Sequence, residues 1–433
     1  MPTPPPGQYP EHAAQSATPS QAAIDANRLG TSLRAQGRLD EAARAFARGI
    51  DAQDGIAELH YNLGVTLTHL QRYDQARTSF LRAAALDANN AGAHFALYEL
   101  EQMAGNRETA LEHQRDALAV QTLYSAYAPQ EERRLLVLLA PGDWQANVPV
   151  DYLVDPARTT VHRLFLAKDS DAGAALPSAD AVFCAIAQSP ENHARLEWAQ
   201  RVVRRSGLPL INDPDDVARA DRAYVYERLS HIDRVRVPQT SVADRDALRT
   251  IAFPAVVRPV GSQAGRDLAK IDDDSALTGY LKTTDAQSFY VMPFVDYSNA
   301  DGYFRKYRIF VVDGVPLPCH LAISKHWMIH YYNAPMREHQ WMRDEERTAL
   351  EDFDSVFPEP LRRAMSEIAS ALHLDYVGLD CSIDRDGNLL VFEADPAMIV
   401  HAADDPQMFG YKHRAAHAIF DAFAALVDRA RSV

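Results

Sequence analysis

The chain has 433 residues, which is enough for about two to four domains of ordinary size. Apolar residues make up 47% of it and charged residues 24%, as in a typical globular protein. The formal net charge of −15 argues against a function in which lysine and arginine contact nucleic-acid phosphates, and acidity of this kind commonly serves solubility.

The cysteines and the N-terminal residues indicate a reducing compartment. Cys184, Cys319 and Cys381 are far apart and match neither a zinc-binding nor a redox spacing, and a sparse, odd set makes a poor disulfide framework. The first residues lack the basic and apolar segments of a signal peptide. No apolar run approaches the roughly 20 residues that cross a membrane. We therefore expect a cytoplasmic protein with no membrane partner.

A repeat follows an unusual N-terminal segment. Residues 1–20 contain six prolines and a single acidic residue, so they have little to bury and we expect a disordered tail. From residue 21 the periodicity is helical, with a repeat of 34 residues. Helix pairs of this length with small residues at their crossings resemble tetratricopeptide repeats. The recurring residues are Leu29-Gly30 as Leu63-Gly64, Phe46 as Phe80, and Ala42 as Ala76 and Ala110.

The resemblance covers residues 21–122 in three repeats, the smallest number that makes a stable stack. In the third repeat Tyr98 replaces the glycine and Gln114 the phenylalanine, as a capping repeat would. Such stacks present a concave groove to a peptide or protein partner. Arg28 and Asn62 each lie two residues before the glycine position and would face that groove. Alternatively, both are ordinary solvated polar residues.

After residue 124, strands alternate with helices. This pattern favours a small α/β domain with a parallel sheet over residues 130–212. Buried strands are predicted at 134–140, 161–167 and 181–187, and a helix at 191–206.

Residues 213–433 contain more strands than βαβ units would supply, which favours an α+β domain. The region begins with one predicted helix at 216–229 and ends with another at 414–430. Two hairpins are predicted between them. The first turns at Asp313-Gly314 and the second at Asp386-Gly387.

The second hairpin carries a cluster of acids. Asp386-Gly387 is typical of a two-residue type I′ turn, which fixes the register of the flanking strands. Like charges opposite one another are destabilising, whereas a divalent cation between them would reverse the sign. The alternative is an acidic hairpin end exposed to solvent. The register predicts these pairs: Asp380 with Glu393, Cys381 with Phe392, and Ile383 with Leu390, with Asp395 on the face of Glu393.

Two other segments offer groups that bind anions. The strand at 255–259 leads from Arg258 into a glycine loop, and glycines let backbone N–H groups approach phosphates closely. This loop is not a Walker sequence, and an ordinary hairpin connection is the alternative. Lys306 and Arg308 share one face of a later strand and suit phosphate or carboxylate groups, although both would also suit a solvated edge strand.

Taken in order, these motifs resemble the ATP-grasp superfamily over residues 133–433. The similarity is greatest to amino-acid and peptide ligases of the ribosomal-S6-modification type and to D-alanine ligases. The ordered motifs are Asn212-Asp213-Pro214, Asp221-Arg222, Phe253-Pro254 with Val257-Arg258-Pro259, the glycine loop, Tyr290 to Val295, Arg308, Gly378-Leu379-Asp380 and Glu393-Ala394-Asp395.

The resemblance implies ATP and two Mg²⁺ ions as cofactors. The metal ligands would be Asp380, Glu393 and Asp395, the last standing where asparagine is usual. The basic residues that hold phosphate would be Arg222 and Arg258, and Arg258 replaces the family's lysine.

The resemblance also implies the remaining contacts to ATP and to the substrate. Arg308 would stabilise an acyl phosphate, and His326 or His330 would orient the carboxylate or accept the proton of the amine, with His326 taken as the catalytic candidate. Alternatively, residues 327–329 are core and the histidines merely satisfied. The nucleotide contacts would be Gly261, Ser262 and Gly265 on the phosphates, backbone groups of Met292, Phe294 and Val295 on adenine, and Asp296 on the ribose.

We therefore expect a multi-domain ligase that joins a carboxylate to an amine at the expense of ATP, with helical repeats that recruit a peptide or protein. Such ligases often self-associate, so a homo-oligomer is also expected. Two alternatives remain open. One is a non-catalytic nucleotide-binding scaffold, favoured by the replaced lysine and asparagine. The other is a kinase-like phosphotransferase on the same fold.

Overall fold

The computed structural model describes residues 18–262, 265–400 and 404–431, which form two compact units. The N-terminal unit comprises residues 18–146 and 156–178, and the C-terminal unit the remaining described residues. Most of the predicted tail, residues 1–17, lies outside the described residues.

The N-terminal unit begins with six helices in three antiparallel pairs. Phe46 and Phe80 are fully buried and each occupies the crossing of a pair. A Cβ atom on Gly30 would lie 2.6 Å from the ring of Phe46, and one on Gly64 would lie 2.7 Å from the ring of Phe80. The repeat glycines are therefore required by close packing. The helices are α1 Gln21–Ala35, α2 Leu39–Ala52, α3 Ala57–His69, α4 Tyr73–Leu86, α5 Ala91–Ala104 and α6 Arg107–Val120.

Replacing Gly64 with alanine is expected to destabilise the second pair by about 1–3 kcal/mol, because the added methyl group overpacks the contact with Phe80. Hydrogen exchange of α3 and α4 in the whole protein measures the effect. Gly55→Ala is the control, because nothing lies within 4 Å of a Cβ there and its φ is not left-handed. Equal protection in the two variants would contradict the packing argument.

The third repeat departs from the pattern because it packs against the strands that follow it. Tyr98 donates a hydrogen bond to the carbonyl oxygen of Gly142 at 2.8 Å. The Gln114 amide both donates to that oxygen at 3.1 Å and accepts from the Gly142 N–H at 2.9 Å. Phe95 stacks on Tyr124 with ring centroids 4.5 Å apart. The substituted residues thus bind a neighbouring segment within this unit.

Three strands complete the N-terminal unit. The middle strand, β3, pairs parallel with β2 and antiparallel with β1. Residues 135–138 of β2 are fully buried, as their continuous apolar run predicts. The strands are β1 Leu123–Ala126, β2 Arg133–Leu139 and β3 Thr159–Phe165.

Of the two residues expected in the repeat groove, only Arg28 is exposed. Asn62 is buried, with 7% of its surface accessible. Its amide donates to Asn27 Oδ1 at 2.9 Å and accepts from Arg34 Nη1 at 3.1 Å. Asn62 therefore links α1 to α3 by hydrogen bonds. Its side chain is neither exposed to solvent nor presented to a partner in the groove.

The C-terminal unit contains eleven strands among its described residues. A parallel pair, β4–β5, opens it. A four-stranded sheet has the order β7-β10-β8-β9, and a five-stranded sheet has the order β12-β11-β13-β14-β6. The strands are β4 Ala181–Cys184, β5 Leu210–Ile211, β6 Val235–Arg236, β7 Ser241–Asp244, β8 Ala255–Pro259, β9 Ala269–Ile271, β10 Ser288–Pro293, β11 Phe304–Val312, β12 Val315–Ser324, β13 Tyr376–Ile383 and β14 Leu389–Asp395.

Helices cover these sheets. The long last helix packs its apolar side on the five-stranded sheet, where Phe423 contacts Tyr376 and Phe183. No helix in the described parts of the chain has both the length and the apolarity of a membrane span. The helices are α7 His193–Ser206, α8 Pro214–Arg219, α9 Arg222–Leu229, α10 Asp274–Leu281, α11 Gln340–Glu351, α12 Phe353–Val356, α13 Glu359–Leu372, α14 Pro406–Phe409 and α15 Tyr411–Arg431.

Both predicted hairpins form, but only the first has the short turn. Asp313 and Gly314 have φ of 54° and 74°, so both central residues are left-handed, as a type I′ turn requires. In the second hairpin only Gly387 is left-handed. The Asp384 carboxylate accepts from Asp386 N at 3.0 Å and Asn388 N at 2.8 Å, which stabilises a longer loop.

The register of the second hairpin differs accordingly. Asp380 lies opposite Glu393 as predicted, but the predicted partners of Cys381 and Ile383 are wrong. The longer loop shifts the pairing by one residue, and an irregularity between Asp380 and Cys381 shifts it back. The observed pairs near the turn are Cys381 with Val391, Ser382 with Leu390, and Ile383 with Leu389.

The predicted fold class is confirmed, with a helical-repeat module followed by α/β and α+β elements. One predicted helix, 216–229, is in fact two helices. Asp221 separates them because its side chain caps the second, accepting from Ala223 N at 2.8 Å and Tyr224 N at 3.1 Å. This break places Arg222 at the first position of α9.

Candidate active site

The acids and bases of the predicted site meet on the five-stranded sheet. Arg308 of β11 lies opposite Asp380 of β13, which lies opposite Glu393 of β14. Arg308 holds the Asp380 carboxylate with two bonds, Nε to Oδ1 at 2.8 Å and Nη2 to Oδ2 at 3.0 Å. Lys306 Nζ lies 2.9 Å from the same Oδ2. Three neighbouring strands therefore contribute to one charged cluster.

Asp380 is ionised in this setting. Only 3% of the residue is accessible, and burial alone would raise the pKa of its carboxyl. The charges and hydrogen bonds of Arg308 and Lys306 outweigh burial and hold that pKa well below its usual range. A substrate or ion that binds Asp380 must therefore share it with these two cations.

A second pair of arginines lies beside Glu393. Arg222, at the start of α9, forms an ion pair with the Glu393 carboxylate. Arg258 of β8 is buried, and it donates from Nε to Ser262 Oγ at 3.1 Å and from Nη2 to the Ser262 carbonyl. Burial, and then the positive charge of Arg222, lower the pKa of Arg258 to about 10. The two guanidinium groups repel one another, and an anion between them would relieve the repulsion.

The third acid, Asp395, lies where its ionised form is disfavoured. Burial, and then the negative charge of Glu393, raise the pKa of Asp395 to about 6. Its Oδ1 accepts a hydrogen bond from Ala397 N at 2.8 Å. A divalent cation beside Glu393 and Asp395 would favour the ionised form, and carboxylate oxygens are the ligands that Mg²⁺ prefers. The donor chemistry therefore fits magnesium.

The three acids do not gather as closely as the hairpin pattern predicts. Among the described residues, their oxygens do not form a group lying within 4.8 Å of one another. The reason is that Arg308 and Lys306 hold Asp380 while Arg222 holds Glu393. Magnesium commonly takes only one or two carboxylates and completes its shell with water and phosphate, so this spacing suits ions shared with a nucleotide.

The balance of charge also favours a polyanionic ligand. Four cationic side chains (Lys306, Arg308, Arg222 and Arg258) accompany the three acids Asp380, Glu393 and Asp395. A triphosphate with magnesium would enter a cluster that already holds more positive than negative groups. The chemistry of such a cluster suits phosphate groups as well as metal.

The glycine loop contacts a histidine. Gly261 and Gly265 have φ of 81° and 69°, values that side chains with a Cβ rarely adopt. A Cβ atom on Gly265 would collide with His330 Nε2. Gln263 and Ala264 of this segment lie outside the described residues.

Of the two candidate histidines, His330 is partly buried and interacts electrostatically with the charged cluster. Burial and then Lys306 lower the pKa of His330, while Asp380 and Glu393 act in the opposite direction. His326 is exposed, and its backbone N–H bonds to Ser324 Oγ at 3.0 Å. Ile329 alone of residues 327–329 is buried. A lowered pKa favours the neutral imidazole of His330, and the catalytic roles of His326 and His330 stay predictions.

Gly265→Ala is expected to weaken the apparent affinity for ATP by at least about tenfold. Strain at a left-handed residue costs about 1–3 kcal/mol, and 1.4 kcal/mol is a factor of ten. The added methyl group also displaces His330. The KM for ATP measures the effect. Gly387→Ala is the control, since its φ is 78° and nothing lies within 4 Å of a Cβ. A similar KM in both variants would contradict this prediction.

The predicted adenine contacts lie on and after β10. Met292 is paired with Val256 in the four-stranded sheet. The N–H of Phe294 donates to the carbonyl of Pro254 at 3.0 Å, so an adenine contact through that N–H would have to replace this bond. Sequence reasoning missed Lys270, whose Nζ lies 4.4 Å from the centre of the Phe294 ring. Only the pairing of β9 with β8 brings it there.

Asp296, predicted to meet the ribose, contacts other groups. It pairs with Arg385 Nη2 at 3.1 Å and accepts from Ser298 N at 3.0 Å. The hydrogen bonds of Ser298 lower the pKa of Asp296. Its predicted role would require the nucleotide to compete with Arg385.

Solved structures that match the chain include a ligase and an ATP-grasp protein. D-alanine–D-alanine ligase from Bacillus anthracis is 13% identical, with a TM-score of 0.44, covering 69% of this chain and 99% of that one. A RimK domain ATP-grasp protein from Sphaerobacter thermophilus is 17% identical, with a TM-score of 0.40, covering 66% of this chain and 98% of that one.

Sequence comparisons give two further similarities. Residues 27–91 match the family model described as tetratricopeptide repeat. An α-aminoadipate–LysW ligase, LysX, from Saccharolobus solfataricus is 22% identical over 214 residues, which cover 47% of this chain and 70% of the relative. The family model confirms the predicted tetratricopeptide repeats, and the chain is similar to a ligase, as the resemblance predicts.

Proposed function

We propose that this protein is an ATP- and Mg²⁺-dependent ligase that joins a carboxylate to an amine through an acyl phosphate. The observation that carries the proposal is the cluster on β11, β13 and β14, where Arg308 and Lys306 hold Asp380 beside Glu393. Such a cluster combines oxygen ligands for metal with cations for phosphate. The similarity to a ligase that bears α-aminoadipate in its name supports the same class of bond.

Glu393, Asp395 and Asp380 would hold magnesium, which would neutralise charge on the phosphates of ATP. Arg222 and Arg258 would contact those phosphates, relieving their mutual repulsion. The loop with Gly261, Ser262 and Gly265 would cover the phosphates and exclude water.

Transfer of the γ-phosphoryl group to the substrate carboxylate depends mainly on positioning and charge, which the cationic side chains provide. Arg308 would stabilise negative charge on the acyl phosphate. His330, kept neutral by its lowered pKa, would accept a proton from the attacking amine. The amine displaces phosphate, which leaves an amide, ADP and inorganic phosphate.

The helical repeats would recruit a peptide or protein. We propose that this partner carries either the carboxylate or the amine, because a recruitment module raises the local concentration of a tethered substrate. Arg28 is an exposed residue on α1 at the expected groove position.

The test is ADP release and intact-mass analysis of small proteins encoded beside this gene, incubated with the enzyme, ATP and Mg²⁺. We expect ADP release that depends on carboxylate and amine together, and a mass increase equal to the added group less water. ADP release with a phosphorylated product would favour a kinase-like phosphotransferase. ATP binding with no ADP release under any condition would favour a non-catalytic scaffold. Arg258 and Asp395, which stand where the resemblance implies lysine and asparagine, also favour this alternative.

A further inference from the structure

A second candidate site lies in the third helical repeat. His94 of α5 and His113 of α6 face one another, with their Nδ1 atoms 3.1 Å apart. Asp116, one turn after His113, places Oδ2 3.6 Å from His94 Nδ1. These three side chains are the only group of at least three acids, histidines or cysteines among the described residues whose ligand atoms lie within 4.8 Å of one another.

The geometry suits a metal ion as well as a hydrogen bond. A hydrogen bond between the two Nδ1 atoms needs one ring to carry its proton there, whereas a metal uses the lone pairs of both. Asp116, Glu101 and Glu112 add negative charge around His113. Neutral imidazoles beside carboxylates are the setting that zinc and similar ions require.

The repeat itself supplies a comparison. One period earlier, His60 occupies the position of His94, but Ser79 and Arg82 occupy those of His113 and Asp116. His60 bonds to the Asp54 carbonyl oxygen at 2.9 Å. The second repeat therefore has one histidine in the same place without the other two ligands.

We propose that His94, His113 and Asp116 bind a first-row transition metal ion, with Zn²⁺ as the preferred occupant and water in the remaining position. Two imidazoles and a carboxylate match the ligands of such ions, and the imidazoles select against Mg²⁺ and Ca²⁺. The ion would cross-link α5 and α6, the pair whose Gln114 and Tyr98 hold the segment at Gly142.

The test uses the full chain, freed of metal with a chelator and titrated with Zn²⁺ by calorimetry in excess Mg²⁺, which occupies oxygen-only sites. We expect about one Zn²⁺ per chain and slower hydrogen exchange in α5 and α6 on binding. His94→Gln, His113→Gln and Asp116→Asn should each weaken binding by at least about tenfold. His60→Gln should leave it unchanged.

Co²⁺ provides an independent signature, because its visible absorption is intense in a four-coordinate site and weak in water, and this absorption should disappear in His94→Gln. Asp116 is exposed, so Asp116→Asn tests the site even where a histidine variant folds poorly. Absence of stoichiometric Zn²⁺ binding by the wild-type chain would overturn the proposal. Equal weakening in His60→Gln, or unchanged binding in the three ligand variants, would overturn it as well.

Discussion

Asp380→Asn is expected to destabilise the five-stranded sheet by about 3–5 kcal/mol, the usual loss when one partner of a buried ion pair is removed. The variant leaves Arg308 and Lys306 beside a neutral amide, with Arg308 deprived of its two charged bonds. Hydrogen exchange of β11, β13 and β14 measures the loss. ADP release should fall as well.

The difference in stability between wild type and Asp380→Asn should depend on pH. Because Asp380 has a lowered pKa in the folded protein, its stabilisation is complete above the unfolded value of about 3.9 and disappears as pH falls through the folded value. Wild type should therefore exceed Asp380→Asn in stability at pH 7, and the difference should shrink in acid below about pH 4.

Asp395→Asn is the matched control for the charge argument. It removes a carboxylate from the same hairpin, but one whose pKa is raised by burial and by Glu393. We expect unchanged or greater stability, because the substitution removes a carboxylate whose ionised form burial and Glu393 disfavour. Equal destabilisation by the two substitutions would show that burial of an amide, and not the broken pair with Arg308, is responsible.

Glu393→Gln is expected to reduce ADP release by about 10²–10³-fold, the loss typical when a single group that stabilises developing charge is removed. The apparent Mg²⁺ requirement should rise, because glutamine offers only a neutral oxygen to the ion. Stability should change little, since Glu393 and Arg222 remain partly exposed and such pairs contribute at most about 1 kcal/mol.

Glu345→Gln tests whether the loss of any ion pair between a glutamate and an arginine would reduce ADP release as Glu393→Gln does. Glu345 pairs with Arg305 of β11 at a similar degree of exposure, and Arg305 alternates with Lys306 to the other face of the strand. We expect ADP release within about twofold of wild type, given the small effect of most such substitutions. A comparable loss in Glu345→Gln, or an unchanged Mg²⁺ titration in Glu393→Gln, would contradict a metal-binding role.

Much of the site follows from local patterns. Alternation along β11 places Lys306 and Arg308 on one face, and the same rule places Glu393 with Asp395 on β14. The predicted pairing of Asp380 with Glu393 is observed. This pair forms although the predicted turn type is wrong. The longer loop shifts the register by one residue, and the irregularity after Asp380 shifts it back.

Other parts of the site depend on which segments become neighbours. No sequence pattern indicates that His330 lies against Gly265, or that Lys270 lies over the Phe294 ring. The side chain of Asn212 bonds to backbone groups of Asp375 and Tyr376, more than 160 positions along the chain. Contacts of this kind depend on strand order, and strand order is decided by packing between sheets and helices.

The sequence by itself determined the repeat period, the crossings at Gly30 and Gly64, and the alternation that gathers like residues on a strand face. These features follow from backbone periods of 3.6 and 2 residues, which are local. Only the tertiary structure decided that Arg308 and Lys306 neutralise Asp380, and that Arg222 reaches Glu393 from a separate helix. Charged side chains interact through space over a few ångströms. The number of residues between two of them in the sequence does not determine how far apart they lie in the folded protein.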